Sequence, residues 1–310
     1  MLDIIIPFKN ADKFIPSIVD CLSKQKNKNF TAHFISDGEN RESIAILESI
    51  NKEFQSSIHY SDGDGPGSAR NKGVSVSKNK YYSFVDVDDK ISVEYTDLFL
   101  TAIDVESPDI IECMYQSETP DGKMISGSNI ESYISREDRF ISLMNGSLPR
   151  LSWGKAYKRD YMQNNNVSFP EGIHNGEDHI FLLKAYINQP SVKILYSFLY
   201  QWIRHENSLT NRAPSIKNID DFISVSEEKL LLHILYNQKN SVDKNWQVTY
   251  GRRLFKEARS LISQISRQSS NHDTLIKRLQ MKLKESTALM DTMQIIQSDN
   301  TSYWQDVMEI

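Results

Sequence analysis

The chain has 310 residues, 39% of them hydrophobic and 25% charged, with 12 Gly and 9 Pro, an ordinary globular composition with room for a large core. Its 36 Lys/Arg against 41 Asp/Glu leave a net charge of −5, so the basic footprint of a nucleic-acid-binding chain is missing. The two cysteines, Cys21 and Cys113, lie too far apart for a disulfide framework or thiolate metal site, and no run of 18 apolar residues or charged leader occurs; the expectation is a soluble, unexported, cytoplasmic protein with buried thiols.

Residues 2–6 form a β-branched run ended by Pro7, which suits a strand buried on both faces. Phe14, Ile18, Val19 and Leu22 then recur at helical spacing, and the alternation repeats. A strand is expected at 32–35, a helix carrying Ile44, Leu47 and Ile50, and a short strand at 58–60. After a glycine-rich loop come a helix over 69–77, a strand over 81–85, a helix over 95–105 and a strand over 109–113. Strands separated by helices of 10–15 residues indicate βαβ units and a mostly parallel sheet. The polar stretch 116–130 carries Pro120-Asp121-Gly122 and reads as a hairpin or surface loop.

Beyond residue 217 Leu and Ile repeat at helical spacing with almost no Gly or Pro. Three amphipathic helices are expected, over 220–236, 244–265 and 273–296. Charge sets this region apart: residues 251–285 hold nine Lys/Arg against three acids. Such a basic surface suits peripheral contact with an anionic membrane, a self-association surface, or simply a solvated face.

Four constellations could carry chemistry. Asp86-Val87-Asp88-Asp89 follows the strand at 81–85, and ligands of a parallel sheet sit beyond the carboxyl ends of its strands. Crowded carboxylates are relieved by a divalent cation that takes hard oxygen ligands, or the acids form a turn with Asp89 capping the next helix. Ser36-Asp37-Gly38 ends another strand, where Asp37 is suited to accept from a base or ribose, or to cap a helix. In Gly63-Asp64-Gly65-Pro66-Gly67-Ser68-Ala69-Arg70, backbone N–H groups could approach an anion and Arg70 a base carbonyl or phosphate; a plain flexible loop is the alternative. Glu177-Asp178-His179 opens a helix, where a carboxylate is kept ionised by the dipole and offers a general base or a cap. Trp153, Lys155 and Tyr157 could form a shelf for a sugar, and the polar stretch from Arg204 and His205 to Thr210 could close over a diphosphate.

Taken in order, "LDIIIPFKN", "FISDGEN", "GPGSARNKG", "FVDVDD", "WGKAYKRD" and "FPEGIHNGEDHIF" resemble the family 2 glycosyltransferases of the GT-A fold. The resemblance covers about residues 1–210 and leaves out the C-terminal helices. It implies a catalytic domain over 1–215, with a Rossmann-like, mostly parallel sheet flanked by helices; the helical repeats beyond it make 216–310 a separate C-terminal α-helical domain. It further implies that Pro7 and Phe8 line the nucleotide pocket, that Asp37 reads the uracil of a UDP-sugar, and that Arg70 lies near uracil and phosphates. Asp86 and Asp88 match the DxD acids that hold Mn²⁺ or Mg²⁺, with His205 or His179 as an added imidazole contact. Asp178, supported by Glu177, matches the catalytic base. Lys9 stands where the family often has an aromatic residue, so stacking on the base would fall to Phe8, and Ser36 replaces the first acid of the usual pair.

The implied reaction is inverting transfer of a hexose, of galactose or glucose type, from a UDP-sugar to a lipid-linked or protein-linked glycan acceptor of the bacterial surface. A sugar-nucleotide-binding partner without turnover is the alternative. A nucleotidyltransferase is disfavoured, since no glycine-rich phosphate loop follows the first strand.

Overall fold

A run of apolar residues with no polar alternation needs cover on both sides, and Leu2–Phe8 accordingly forms a fully buried strand, β1, in the middle of the sheet. The computed structural model describes residues 1–127, 138–204, 213–240, 246–286 and 289. Ile4 and Ile6 pack in one core with Ile15, Ile18, Val19 and Leu22 of α1 (Ile15–Ser23). Ile5 faces the opposite way, against α3 (Pro66–Val76). Gly73 makes that approach possible, because a Cβ there would lie 2.2 Å from Ile5 Cγ2.

β2 (Phe30–Asp37) and β4 (Tyr81–Phe84) flank β1 in parallel, and β3 (Gln55–Ser61) adds a polar outer edge beyond β2. Pairing of β1 with β4 stops at Ile5↔Phe84, whereas pairing with β2 continues to Phe8↔Ser36. Pro7, which has no N–H to give, thus extends the strand two residues past its expected end without interrupting the β4 ladder. α2 (Arg41–Ser49) and α4 (Tyr95–Glu106) complete the helices of this half.

The second half of the sheet is mixed. β8 (Lys155–Lys158) inserts antiparallel between β4 and β6 (Ile110–Glu118), and β9 (Val192–Ile203) runs parallel to β6. β5 (Lys90–Ile91) and β7 (Met124–Ser126) add short antiparallel pairings, to β9 and β6. The β6–β7 turn over 119–123 is the expected hairpin, with Gly122 at φ +79 and Thr119 N–H donating to Lys123 O. α5 (Arg139–Met144), α6 (Arg159–Asn164) and α7 (Glu177–Tyr186) pack around β8 and on to the C-terminal helices.

Those helices are α8 (Ile216–Asn240), α9 (Trp246–Gln268) and α10 (His272–Glu285). α8 begins four residues before the expected start because Ser215 caps it, its hydroxyl accepting from Asn218 N–H at 3.4 Å. Residues 290–296 of the third expected helix lie outside the described residues. One apolar cluster joins Ile5, Phe84 and Phe181 of the sheet region to Ile219, Tyr236, Leu254 and Leu283 of the helices. Each large apolar side chain so buried contributes about 1.5–3 kcal/mol, so the helices share a core with the sheet. Among the described residues, no helix is long and apolar enough to cross a membrane.

Candidate active site

The carboxyl ends of β2 and β4, the second turn of α3 and the first turn of α7 supply the acids and Arg70 singled out above. Asp37 ends β2 and is buried, accepting from Lys9 Nζ and Ser61 Oγ, each at 3.3 Å. Lys9 therefore sets a cation beside the carboxylate where a stacking ring is absent. Asn40 ties the neighbouring turns together, donating to Ser36 Oγ, Asp37 O and Gly38 O while its own oxygen accepts from Asn10 N–H at 2.7 Å. Ser36 replaces the first family acid with a donor, its hydroxyl bonding Gly38 O at 2.9 Å. Gly38 and Gly63, at φ +79 and +88, face each other across this corner. Phe8 is 3% exposed and packed within the apolar core, so the expectation that its ring stacks on a base gives way to a packing role.

The three acids after β4 have separate surroundings. Asp89 is buried, accepting from Tyr200 Oη at 2.7 Å and Ile203 N–H at 2.8 Å. Burial, together with Asp86 and Asp88, pushes its carboxyl well above the ordinary range. It pins the end of β9 to this turn instead of capping α4. Tyr200, which no spacing in the sequence ties to these acids, also accepts from Asp86 N–H at 3.1 Å. Asp86 and Asp88 are partly exposed and carry the hard oxygens that Mg²⁺ or Mn²⁺ takes. Among the described residues no group of three His, Cys, Asp or Glu is arranged to hold a metal ion. Asp86 and Asp88 alone would leave most of a cation's shell to water and substrate oxygens.

Arg70 is placed otherwise than expected. Its guanidinium is buried, turned inward, and bonds Asp86 Oδ1 at 2.9 Å, Asp178 Oδ1 at 3.2 Å and Glu177 Oε1 at 3.3 Å. One cation thereby joins the acids after β4 to those opening α7, instead of facing a base. Gly176 caps the start of α7, where its φ of +93 and a Val225 Cγ2 3.1 Å from where a Cβ would stand favour a residue without a side chain. Burial raises the pKa of Glu177, and the charge of Asp178 adds to it, with Arg70 opposing. Burial likewise raises Asp178, and Arg70 pulls it back. Asp178 is the more open of the two, with 20% of its side chain exposed against 10% for Glu177.

The expected sugar shelf is differently built. Trp153 is 4% exposed and stacked on Tyr200, with ring centres 4.2 Å apart, so its face is covered. Trp202, partly exposed and 6.5 Å from Trp153, with Arg204 over its ring, is the outer aromatic of that group. Lys155 is buried in β8 and donates to Leu151 O at 2.8 Å; burial lowers its pKa against the pull of Glu112. It is held inside the fold and does not point at a diphosphate. His179 is 2% exposed and its Nε2 is paired with Leu143 O, and this enclosure removes it as a metal or phosphate contact; burial, with Lys229 and Arg150 nearby, holds its pKa well below the ordinary value. His205 lies outside the described residues.

Residues 3–165, just over half of the chain, match the family described as glycosyl transferase family 2. EpsH of Bacillus subtilis, whose glycosyltransferase name is provisional, is 23% identical over 282 residues, covering 84% of this chain and 81% of its own. TarS of Staphylococcus aureus, a poly(ribitol-phosphate) β-N-acetylglucosaminyltransferase, is 24% identical over 205 residues, which are 64% of this chain and 35% of TarS. This chain thus spans about a third of that relative. The structure of TarS residues 1–349 with UDP-GlcNAc superimposes with a TM-score of 0.63 at 18% identity, covering 98% of this chain and 92% of that one. The fold is therefore GT-A, and the chain belongs to the family 2 glycosyltransferases.

Proposed function

We propose that this glycosyltransferase moves a hexose, of galactose or glucose type, from a UDP-sugar to a hydroxyl of a glycan acceptor with inversion at the anomeric carbon. The observation that carries the reading is the convergence of Asp86 and the Glu177–Asp178 pair on Arg70, with Asp37 at the end of the parallel strand β2. TarS, of the same fold, is known with UDP-GlcNAc bound, which supports a UDP-sugar donor. Asp37 would accept from the uracil N–H, with Pro7 lining the pocket. Asp86 and Asp88 would hold a divalent cation, Mn²⁺ or Mg²⁺, whose positive charge offsets that of the diphosphate.

Asp178 takes the acceptor proton as the new C–O bond forms at C1. The bond from C1 to the phosphate oxygen breaks, UDP departs with the electron pair, and attack from the opposite face turns a UDP-α-sugar into a β-linkage. Glu177, more buried, stays protonated more readily and keeps like charge away from Asp178, while Arg70 holds that carboxylate toward the acceptor side. The acceptor is a lipid-linked or protein-linked glycan of a bacterial surface polysaccharide or glycoprotein, and the enzyme works in the cytoplasm. The exposed row Arg252, Lys256, Arg259 and Arg267 on α9 favours peripheral contact with the inner membrane face over self-association.

General-base catalysis contributes about 10²–10⁴-fold. Asp178→Asn should therefore bind UDP-sugar as the wild type does, by calorimetry, and lose transfer by that factor. Retained transfer would move the base to Glu177.

A further inference from the structure

We propose that Arg150 and Arg253 form a phosphate-binding clamp in the seam between the sheet and the C-terminal helices, beside the helix that carries Glu177 and Asp178. Both guanidinium groups are anchored on the same atom, Glu257 Oε1, Arg150 through Nη2 at 2.5 Å and Arg253 through Nε at 2.8 Å. The other carboxylate oxygen takes Lys229 Nζ at 2.7 Å. Glu257 is thus fully engaged, and three cations share one negative charge.

The unused donors are what point to a ligand. A guanidinium has five N–H groups, and each arginine uses one nitrogen here. Neither has another hydrogen-bond or ion-pair partner among the described residues. Both remain partly open, Arg150 at 31% and Arg253 at 24% of the side chain, whereas Lys229 is 2% exposed. Arg253 lies flat on Gly146, where a Cβ would come within 2.7–2.8 Å of Nη1, Cζ and Nη2. Two forks fixed side by side, with a net charge of +2 and free edges, match the oxygens of a phosphate.

The nearby titratable groups do not cancel that charge. Burial works to raise Glu257, yet Lys229 and Arg150 hold it far below the usual carboxylate range, so it is ionised and already paired. His179 is kept neutral. The site adjoins the chemistry through sequence and packing: His179 follows Asp178, and Arg150 is two residues from Ser152, which stands against Asp178. A phosphodiester within the acceptor glycan and a free phosphate share the required chemistry. Assignment to the acceptor rests on the transferase reading above; the anion site does not.

The test is calorimetric titration of the full chain with inorganic phosphate, with and without saturating UDP to occupy the donor site. Saturable binding is expected, at least tenfold weaker in Arg150→Gln and in Arg253→Gln, each of which leaves Glu257 two cations. Arg253→Lys, which keeps the charge and loses the fork, should fall between. No saturable binding to the wild type, or equal binding to the folded variants, would overturn the clamp. Dimethyl phosphate binding as well as inorganic phosphate assigns the site to a phosphodiester, and binding of inorganic phosphate alone assigns it to a free anion. Failure of UDP to bind would count against the donor reading and leave the phosphate result standing.

Discussion

Arg70 holds three carboxylates within 3.3 Å of its guanidinium. Without a cation there, the acids would repel one another in a buried setting, and removing one partner of such a group costs about 3–5 kcal/mol. Arg70→Lys keeps the charge but cannot reach all three acids at once. It should lower kcat at least tenfold while UDP affinity changes less. The pH profile supplies a second readout. With Asp178 as the proposed base, transfer needs its carboxylate ionised, so activity should fall as pH falls through its pKa, which burial sets above the ordinary carboxylate range. With less pull from Arg70 the acidic limb of kcat/KM should move to higher pH in the variant; an unmoved limb would remove Arg70 from control of the base. The sequence reads the positions of Asp37, Asp86, Asp88, Glu177 and Asp178 well, because each follows a strand or opens a helix. It does not read where Arg70 points, since its partners stand up to 108 residues away. Apolar character likewise says nothing of cover, so Phe8 and Trp153 look like open rings and are packed ones.

At the scale of elements, the parallel half was readable because β-branched runs alternate with 3.6-residue periodicity there. β8 is four residues long and β9 contains a register shift against β6, so neither shows the period that marks a strand. α3 depends on a residue without a side chain. Gly73→Ala should cost about 1–3 kcal/mol in denaturant unfolding by forcing the helix off Ile5, and an unchanged midpoint would show that the contact yields freely. The seam between α8, α9 and the loop before β8 carries a pH signature. Glu257 has a depressed pKa in the folded state, so its stabilisation is present above the unfolded value near ~4.3 and fades as pH falls below it. Glu257→Gln should lower stability by about 3–5 kcal/mol at pH 7, with the difference from wild type narrowing below about pH 4.3.

For the whole molecule, the net −5 says less than its distribution. The acids singled out as chemical lie at the carboxyl ends of β2 and β4 and at the start of α7, where Lys9 and Arg70 offset them, and the basic excess lies on helices that share the sheet's core. The C-terminal helices were readable as helices, but their shared core was not, because long-range packing leaves no local period. The central claim is that this site turns over a UDP-sugar with the help of a divalent cation. It is tested most directly by UDP release from a panel of UDP-hexoses, measured on the full chain with Mn²⁺ or Mg²⁺ and again after adding chelator. The account predicts release from at least one galactose- or glucose-type donor, lost with chelator and restored by the metal. Release indifferent to chelator, or none from any UDP-sugar by a folded chain supplied with metal, would contradict it.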